Sequence, residues 1–432
     1  METEDLYALF LQCDQKVSTD TRNIIPGSLF FALKGENFNG NEFAKEALTK
    51  GASCAVCDEG AGGENIIMVS DVLRSLQKLA QYHRTQSKAQ VIAVTGSNGK
   101  TTTKELLHAI FSTSRNCLVT AGNLNNHIGV PLTLLRLREY HEILILEMGA
   151  NHPGEIKLLC EMGTPDAGII TNIGKAHLEG FGGLQGVIHA KKELVDFLDD
   201  HEGIVFYNLN EPAIANLYTK SVRHISFGDN KIDVNFSGSL VQSFPQLEFY
   251  IHDNEQNLGL FKAQLYGKHN YQNALAACCI ALYSGIHEEQ IKKGLWNYIP
   301  ANMRSEIILY KGCTVYLDAY NANPSSMRSA IEGFLEDPTE VKWIILGAMA
   351  ELGTNTMEEH EALVKYVVDC SFNKIMLIGE DYAQTTLTNN MELFSNSNQA
   401  KEYLEKNWPK NAAILIKASR SAGLEKLIIN QT

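Results

Sequence analysis

The sequence predicts an α/β protein of three domains, on the evidence of its length and of the way apolar runs alternate with helical stretches. The chain has 432 residues, which corresponds to about three domains at about 150 residues each. In the middle of the chain, continuous apolar runs such as residues 91–94, 143–146 and 168–173 are separated by helical stretches. Runs without polar alternation are typical of parallel strands that helices cover on both faces. We therefore expect a central parallel-sheet domain over residues 87–301.

The flanking segments predict two further α/β domains. Residues 1–86 combine short apolar strands with helical stretches, and we expect a small N-terminal α/β domain there. After Asn302, short apolar runs again alternate with helices, which predicts a doubly wound, Rossmann-like domain over residues 302–432. Between residues 234 and 265 the pattern changes to polar–apolar alternation, which indicates antiparallel strands appended to the central sheet.

The composition favours a folded, acidic protein and argues against two classes of function. The 37 Lys and Arg residues against 50 Asp and Glu give a formal net charge of −13. Broad nucleic-acid binding needs clustered Lys and Arg, so this balance argues against it. No apolar run approaches the roughly 18 residues of a membrane span, and the start of the chain lacks the basic and apolar regions of a secretory signal. We expect a cytoplasmic monomer without nucleic-acid or membrane partners.

The nine cysteines are scattered and odd in number, which favours reduced thiols over a disulfide framework. Cys54 and Cys57 form a C-x-x-C pair, a spacing that redox and zinc sites use. The pair overlaps a short apolar run, residues 52–56, that leads into an acidic turn. We interpret the pair as part of a buried strand.

The strongest local signal is a glycine-containing turn between a predicted strand and a predicted helix. After the apolar run 91–94 the chain reads TGSNGKTT over residues 95–102. Glycines let backbone N–H groups converge on phosphate oxygens, and a helix N-terminus adds unpaired N–H groups. Lys100 can reach the β- and γ-phosphates, and the Thr101 hydroxyl can ligate Mg²⁺. The predicted nucleotide phosphate site consists of Gly96, Ser97, Asn98, Gly99, Lys100, Thr101 and Thr102.

This loop is shorter than a full Walker A motif, because Val94 occupies the position of the first Walker glycine. A short G-x-x-G-K-T string also occurs as a structural turn. Its position directly after a buried strand and before a helix favours phosphate binding. A P-loop enzyme that drives motion is disfavoured, since no apolar strand ending in a Walker B aspartate is evident.

A series of further strings follows in a recognisable order. They are GNLNN (122–126), EMGANHPGEI (147–156), TNIG (171–174), AHLEGFG (176–182), GKHN (267–270), MRSE (303–306) and DAYNANPSSM (318–327). Together they resemble the Mur ligase family, the ATP-dependent amide-forming enzymes of peptidoglycan precursor synthesis. The segments TDTR (19–22) and PGSLFFALKG (26–35) resemble the family's UDP-sugar domain, and LGAM (346–349) and IKASR (416–420) resemble its amine-binding domain.

Within the family, these strings resemble most the branch that joins D-alanyl-D-alanine to UDP-N-acetylmuramoyl-tripeptide. The resemblance implies that the terminal carboxylate of the tripeptide attacks the γ-phosphate of ATP and becomes an acyl phosphate. The amine of the dipeptide then attacks that carbonyl, and phosphate leaves. The resemblance fits a tripeptide that ends in lysine as well as one that ends in meso-diaminopimelate.

The resemblance also implies that ATP acts with two Mg²⁺ ions. The catalytic and metal-binding residues that it implies are Lys100, Thr101, Glu147, His177 and Lys191. Lys191 would be carbamylated, because CO₂ on its ε-amine converts a cation into a carboxylate-like metal ligand. The neighbouring Lys192 is the alternative in this register.

Two further sets of binding residues follow from the resemblance. The residues implied for the base and ribose of ATP are His269, Asn270, Asn273, Arg304 and Asp318. Because Arg304 and Asp318 lie in the third predicted domain, the ATP site would be completed by domain closure. The residues implied for the UDP-sugar peptide are Thr21, Arg22, Lys34, Asn125 and Asn126.

Some positions depart from the family pattern and keep alternatives open. Asn41 stands where the family commonly has His, Ala348 where Asp is usual, and Ala418 and Ser421 where Gly is usual. The alternatives are another ligase of the same fold, such as another Mur ligase or folylpolyglutamate synthase, and a Mur-like scaffold without activity. Folylpolyglutamate synthase would lack the N-terminal UDP-sugar domain.

Overall fold

The computed structural model of this chain describes residues 1–60, 62–215, 217, 223–229, 233–254 and 256–428. An N-terminal unit is built on a parallel sheet of strand order β1-β2-β5-β6, beside a short hairpin of β3 and β4. Its strands are β1 (Val17–Ser18), β2 (Leu29–Phe31), β3 (Lys34–Gly35), β4 (Phe38–Asn39), β5 (Cys54–Cys57) and β6 (Ile66–Met68), and its helices are α1 (Thr3–Gln12), α2 (Ala44–Thr49) and α3 (Val72–Thr85). The C-x-x-C pair spans strand β5, and all nine cysteines are free thiols.

The central unit contains a larger sheet of strand order β15-β14-β13-β12-β11-β10-β7-β9-β8. Strands β7 to β13 pair in parallel, and β14 and β15 are antiparallel. Its strands are β7 (Gln90–Thr95), β8 (Cys117–Val119), β9 (Ile143–Glu147), β10 (Ala167–Ile170), β11 (Ile204–Asn208), β12 (Arg223–Asp229), β13 (Phe236–Gln242), β14 (Leu247–Asp253) and β15 (Gln256–Ala263). Its helices are α4 (Lys100–Phe111), α5 (Gly129–Leu134), α6 (Glu155–Gly163), α7 (Leu178–Phe181), α8 (Leu184–Asp200), α9 (Pro212–Ala215), α10 (Lys268–Tyr283) and α11 (Glu288–Asn297).

The third unit is a parallel sheet with one antiparallel edge strand, in the order β16-β17-β21-β18-β19-β20. Its strands are β16 (Glu306–Tyr310), β17 (Cys313–Asp318), β18 (Lys342–Gly347), β19 (Lys374–Ile378), β20 (Met391–Phe394) and β21 (Ala413–Lys417), and its helices are α12 (Pro324–Leu335), α13 (Thr356–Val368) and α14 (Ser397–Asn407). This architecture confirms the predicted α/β class with three domains. The boundaries at residues 86 and 301 stay predictions.

The N-terminal and central units share one hydrophobic core. Helix α3 packs against α5 and α6, and its Leu79 belongs to the same buried cluster as Val130 and Leu134. Buried Arg84 of α3 donates from Nε to the carbonyl oxygen of Gly163, at 3.1 Å. These contacts join the two units across apolar surface, which is the strongest general source of stabilisation between packed elements.

The third unit meets the central unit through aromatic contacts and through polar contacts. Tyr266 packs edge-on against Tyr316 with ring centroids 4.9 Å apart, and Phe244 lies 5.7 Å from the same ring. Asn98 of the phosphate loop accepts from Asn323 Nδ2 at 2.7 Å. The third unit is therefore joined to the rest of the chain by a small apolar contact and a polar seam.

One predicted strand ends earlier than expected. The apolar run 168–173 predicted a strand throughout, but β10 ends at Ile170. The backbone then leaves the sheet so that Thr171 and Asn172 can bond to the phosphate loop.

In the described ranges, no helix combines the length and the apolar character that crossing a bilayer requires.

Candidate active site

A cavity of about 830 Å³ lies between the central and third units. The loops after β7, β9, β10 and β17 and the first turn of α10 line it. These are carboxyl ends of parallel strands and a helix N-terminus, the positions at which open α/β sheets bind ligands. The predicted site residues that line the cavity are Ser97, Asn98, Gly99, Lys100, Thr101, Thr102, Asn125, Asn126, Glu147, His177, His269, Asn270, Asn273, Arg304 and Asp318. Gly96, Lys191, Thr21, Arg22 and Lys34 are not among the lining residues.

The phosphate loop requires glycine at two positions. Gly96 has φ 144°, and a Cβ atom there would lie 2.0 Å from Thr171 Oγ1. Gly99 has φ 77°, and its Cβ would lie 2.3 Å from Asn273 Oδ1. Both contacts are impossible for a real side chain, so the loop packs too closely for any other residue. Helix α4 starts directly after Gly99 without a side-chain cap, which leaves its first N–H groups available to an anion.

Lys100 is the cation of this loop. Its Nζ donates to the carbonyl oxygens of Gly96 and Ser97, at 2.7 and 3.2 Å. Burial lowers the pKa of Lys100, and the nearby charge of Glu147 opposes that shift. An ammonium held only by neutral carbonyls can exchange them for phosphate oxygens, so Lys100 is suited to bind a nucleotide phosphate.

Glu147 forms the centre of a buried polar cluster at the end of β9. Its carboxylate is 1% exposed and accepts from Thr101 Oγ1 at 3.0 Å and from Asn125 Nδ2 at 2.7 Å. Lys104 Nζ lies 3.7 Å away and is also buried. The cluster therefore brings together the hydroxyl and the carboxylate that the sequence predicted as magnesium ligands.

His177 lies where the central unit touches the third. It adopts φ 52° at the start of α7, and its Nδ1 contacts the Glu351 carboxylate of the loop after β18. This contact lowers the pKa of Glu351. A metal-binding histidine commonly presents its second ring nitrogen to a carboxylate, so the pairing leaves Nε2 of His177 for a ligand. Lys175 pairs with Glu359 beside it.

Lys191 lies on α8 and is 2% exposed. Its Nζ is 5.6 Å from the centre of the Phe181 ring. Burial lowers the pKa of Lys191 to about 7, and the charge of Lys100 adds to the shift. The adjacent Lys192 instead forms an ion pair with Asp196 on the helix surface. Of the two lysines in this register, only Lys191 is enclosed by the protein.

Amide side chains at the start of α10 line another part of the cavity. Asn270 Nδ2 donates to Tyr266 O at 3.0 Å and to Ser305 Oγ at 3.2 Å. Asn273 Nδ2 donates to Asn270 Oδ1 at 3.3 Å. Burial lowers the pKa of His269 to about 4, so its ring is neutral at pH 7. Its buried Nδ1 has no hydrogen-bond partner within the described residues.

Asp318 and Lys417 face each other across neighbouring strands of the third sheet. They are register partners at the ends of β17 and β21, and Lys417 Nζ donates to Asp318 Oδ2 at 2.6 Å. Lys417 is 2% exposed and also donates to the carbonyl oxygen of Asn321 at 3.2 Å. The pair fixes the Asp318 carboxylate at the cavity wall.

The candidates in the N-terminal unit lie apart from this cavity and are paired with acids. Arg22 Nη2 donates to Asp20 at 2.7 Å, and this pairing lowers the pKa of Asp20 to about 2. Lys34 Nζ lies 2.8 Å from Glu59 and 2.9 Å from Asp58.

Asn41, which stands in place of the family histidine, bonds to Asp58, the same acidic residue that Lys34 contacts. Its Nδ2 donates to Asp58 Oδ1 at 2.8 Å, and its Oδ1 accepts from the backbone N–H of Asp58 at 3.0 Å. Thr21 offers its carbonyl oxygen to Lys50 Nζ at 2.9 Å.

Several residues of the site were not predicted from the sequence. Thr171 Oγ1 and Asn172 Nδ2 bond to Asn98 O at 2.5 and 3.0 Å and hold the phosphate loop. Lys104, Glu351 and Lys417 contact predicted site residues from distant parts of the chain. Lys417 directly follows an apolar run that forms a buried strand. A buried lysine is nearly always paired with an acidic group, so this position in the sequence could have identified Lys417 as a site residue.

The chain is similar to known proteins over almost its whole length. Three family descriptions match the chain: "Mur ligase family, catalytic domain" over residues 15–97, "Mur ligase middle domain" over residues 94–281, and "Mur ligase, glutamate ligase domain" over residues 303–420. The chain is 36% identical over 427 residues to the UDP-N-acetylmuramoyl-tripeptide–D-alanyl-D-alanine ligase of Bacillus subtilis (strain 168), with 95% of this chain and 92% of that protein covered.

Two solved structures are also similar. MurF from Acinetobacter baumannii superposes with a TM-score of 0.86 and 31% identity, over 95% of this chain and 92% of that chain. The MurF ligase from Thermotoga maritima in complex with ADP gives a TM-score of 0.85 and 26% identity, over 96% of each chain. With family matches running from residue 15 to residue 420 and a 36% identical relative aligned over nearly the full length, the chain belongs to the Mur ligase family.

Proposed function

We propose that the chain is an ATP-dependent, ADP-forming ligase that joins D-alanyl-D-alanine to UDP-N-acetylmuramoyl-tripeptide. The observation that carries this proposal is the cavity in which Lys100, Thr101 and Glu147 of the central unit face Arg304 and Asp318 of the third. The Bacillus subtilis relative is a UDP-N-acetylmuramoyl-tripeptide–D-alanyl-D-alanine ligase, which supports the choice of substrates. It also disfavours the alternatives, which were another ligase of this fold and a scaffold without activity.

The reaction needs activation because a carboxylate and an amine form a salt at neutral pH and not an amide. The peptide carboxylate attacks the γ-phosphate of ATP to give an acyl phosphate and ADP. The dipeptide amine then attacks the acyl carbon, and phosphate leaves. Lys100 and the first N–H groups of α4 stabilise the anionic oxygens that crowd together in the first step. Docking of the third unit over the cavity excludes water, which would otherwise hydrolyse the acyl phosphate.

The donor set around Glu147 fits Mg²⁺. Thr101 and Glu147 offer a hydroxyl and a buried carboxylate 3.0 Å apart. Magnesium is commonly bound through one or two oxygen ligands from the protein, with substrate phosphates supplying others. In the described ranges no group of three His, Cys, Asp or Glu side chains is arranged to hold a metal, so phosphate oxygens would complete the coordination. When bound, Mg²⁺ neutralises phosphate charge. Thr101 and Glu147 would hold one ion, and His177 and Lys191 a second.

We also propose that Lys191 is carbamylated. Its ammonium is buried without a carboxylate in hydrogen-bond contact among the described residues, which is an unfavourable environment for a cation. The neutral amine adds to CO₂ and releases a proton, which gives an anionic carbamate that suits a metal site. Since burial lowers the Lys191 pKa to about 7, the reactive neutral amine prevails above pH 7 and is lost below it.

Carbamylation predicts a labelled carbonyl on one lysine. Protein equilibrated with ¹³C-bicarbonate at pH 8 is expected to show one carbamate resonance that disappears below about pH 6. The resonance should be absent from Lys191→Ala and present in the matched variant Lys192→Ala, whose side chain is on the helix surface. A resonance that survives in Lys191→Ala would contradict the assignment.

We propose that the substrate extends from the N-terminal unit to the cavity. Thr21, Arg22 and Lys34 would bind its UDP-sugar end, and Asn125 and Asn126 its peptide end. Support comes from the separation of these residues, since only Asn125 and Asn126 line the cavity. UDP-linked substrates, ATP and nine free thiols support a cytoplasmic location, and a monomer remains our expectation.

The direct test is phosphate release from ATP and Mg²⁺, measured with each substrate alone and with both together. Release that requires both UDP-N-acetylmuramoyl-tripeptide and D-alanyl-D-alanine is expected, together with formation of the pentapeptide product detected by mass spectrometry. Lysine- and meso-diaminopimelate-containing tripeptides are both tested. Release with neither tripeptide would reject the proposed reaction.

A further inference from the structure

The third unit presents two guanidinium groups to one tyrosine ring at the edge of the cavity. Arg304 Cζ lies 3.8 Å from the centre of the Tyr320 ring, and Arg420 Cζ lies 5.3 Å from it. Both distances are within the range of cation–π attraction, about 6 Å. Within the described ranges, neither guanidinium forms an ion pair with an acidic side chain. Two cations are thus concentrated on one ring without a protein anion, and this arrangement attracts an anionic ligand.

Other cations at this edge of the cavity already have partners. Lys417 Nζ is bonded to Asp318 at 2.6 Å, and Lys268 Nζ lies 3.7 Å from Glu336. Arg304 lines the cavity on the side of the phosphate loop, where its charge contributes to lowering the pKa of Lys100. Arg420 is exposed, follows the carboxyl end of β21, and is not among the lining residues. Arg420 is therefore a cation that a ligand entering from the rim can reach.

The surroundings of Arg420 fit a carboxylate. Ser419 and Ser421 flank it with their hydroxyl oxygens 3.3 Å apart. Ser419 Oγ donates to the carbonyl oxygen of Ala348, so the loop after β18 reaches this point. A planar guanidinium pairs with a carboxylate through two parallel hydrogen bonds.

We propose that Arg420, held by Tyr320, binds the C-terminal carboxylate of the incoming dipeptide. The inference rests on the proposed function, because it assigns one end of the second substrate. That carboxylate takes no part in the reaction and retains its charge throughout. A cation at the rim therefore holds the far end of the dipeptide, while the amine points inward to the acyl phosphate. Arg420 then selects acceptors that have a free C-terminus.

The test compares D-alanyl-D-alanine with D-alanyl-D-alaninamide, which lacks the negative charge. With the wild type, the KM for D-alanyl-D-alaninamide should be about 10- to 50-fold higher than the KM for D-alanyl-D-alanine, as expected for loss of a charged hydrogen-bonded pair at a partly exposed site. Arg420→Met should raise the KM for the acid by a similar factor and leave the KM for the amide unchanged. The KM values for ATP and for UDP-N-acetylmuramoyl-tripeptide should stay within about twofold, and Arg420→Lys should recover part of the loss.

Arg328→Met is the matched control, because Arg328 is also exposed and lies 4.5 Å over a tyrosine ring of the same unit, Tyr366. It should change none of these values. Equal losses for acid and amide in Arg420→Met would make Arg420 a merely structural residue, and a raised KM for ATP would make it a nucleotide ligand. Both results overturn the proposal. The wild type is tested first. If it does not ligate the two substrates, the proposed function is rejected, and this outcome is distinct from a failure of the proposal about Arg420.

Discussion

Lys100→Met is expected to reduce ATP-dependent ligation about 10³-fold or more without weakening the fold. Removing one preorganised donor from an anion-stabilising site commonly costs 10²- to 10³-fold, and Lys100 supplies a full charge. Among the described residues, its ammonium is bonded only to the carbonyl oxygens of its own loop, and burial already lowers its pKa. Methionine removes this desolvated charge, so the melting temperature should stay the same or rise. Steady-state ADP formation and thermal unfolding measure the two effects.

The control for this variant is Lys88→Met, which changes an exposed lysine on the segment before β7. It should leave both activity and melting temperature unchanged. If Lys100→Met kept more than a tenth of the wild-type rate, Lys100 would not be the phosphate-binding cation. A lower melting temperature would indicate that Lys100 stabilises the loop itself.

Glu147→Gln is expected to lower the rate about 10²-fold or more and to raise the Mg²⁺ concentration needed for half-maximal activity. Glutamine keeps the shape of the side chain and can still accept from Thr101 and Asn125, but it lacks the charge that a hard cation requires. The variant also removes one partner of buried Lys104, so a modest loss of stability should accompany it. Magnesium titrations of the rate, together with thermal unfolding without magnesium, separate the two consequences.

Glu105→Gln provides the comparison for Glu147→Gln. Glu105 lies 2.9 Å from Lys104 Nζ, so this variant removes a partner of the same lysine and leaves Thr101 and Glu147 in place. Its magnesium requirement should equal that of the wild type. Similar magnesium requirements in the two variants would show that Glu147 acts through Lys104 and not as a metal ligand.

Local rules of the sequence account for the conformation of the phosphate loop. An apolar strand followed by glycines, Lys and Thr specifies the phosphate loop, since the backbone conformation and the helix start are both encoded within residues 91–102. Glu147 was implied by the resemblance, and the structure places it at the end of the buried strand β9. For the residues implied only by the resemblance, the local sequence gives no physical argument for their roles, and these roles stay predictions.

What could not be predicted depends on contacts between distant segments. Lys104 resembles any charged residue on a helix until β9 places Glu147 beside it. Glu351 meets His177 only when the third unit docks on the central one. The early end of β10 was missed because residues 171–173 continue the strand pattern, whereas bonding to Asn98 outweighs further pairing in the sheet. Pairwise tertiary contacts of this kind leave no trace in local periodicity.

The core shared by the first two units has a consequence for the order in which the chain folds. Leu79 and Val130 belong to one buried cluster, and His83 of α3 is held by the carbonyl oxygen of Leu137. On the ribosome, the N-terminal unit therefore emerges with an uncovered apolar face on α3 until the segment that forms α5 and α6 has been made. The third unit has internal apolar clusters of its own and can condense last, as a separate cooperative unit. Nascent chains arrested near residue 125, which expose α3 before α5 has been made, should bind chaperones that recognise exposed apolar surface, and chains arrested near residue 300 should have released them.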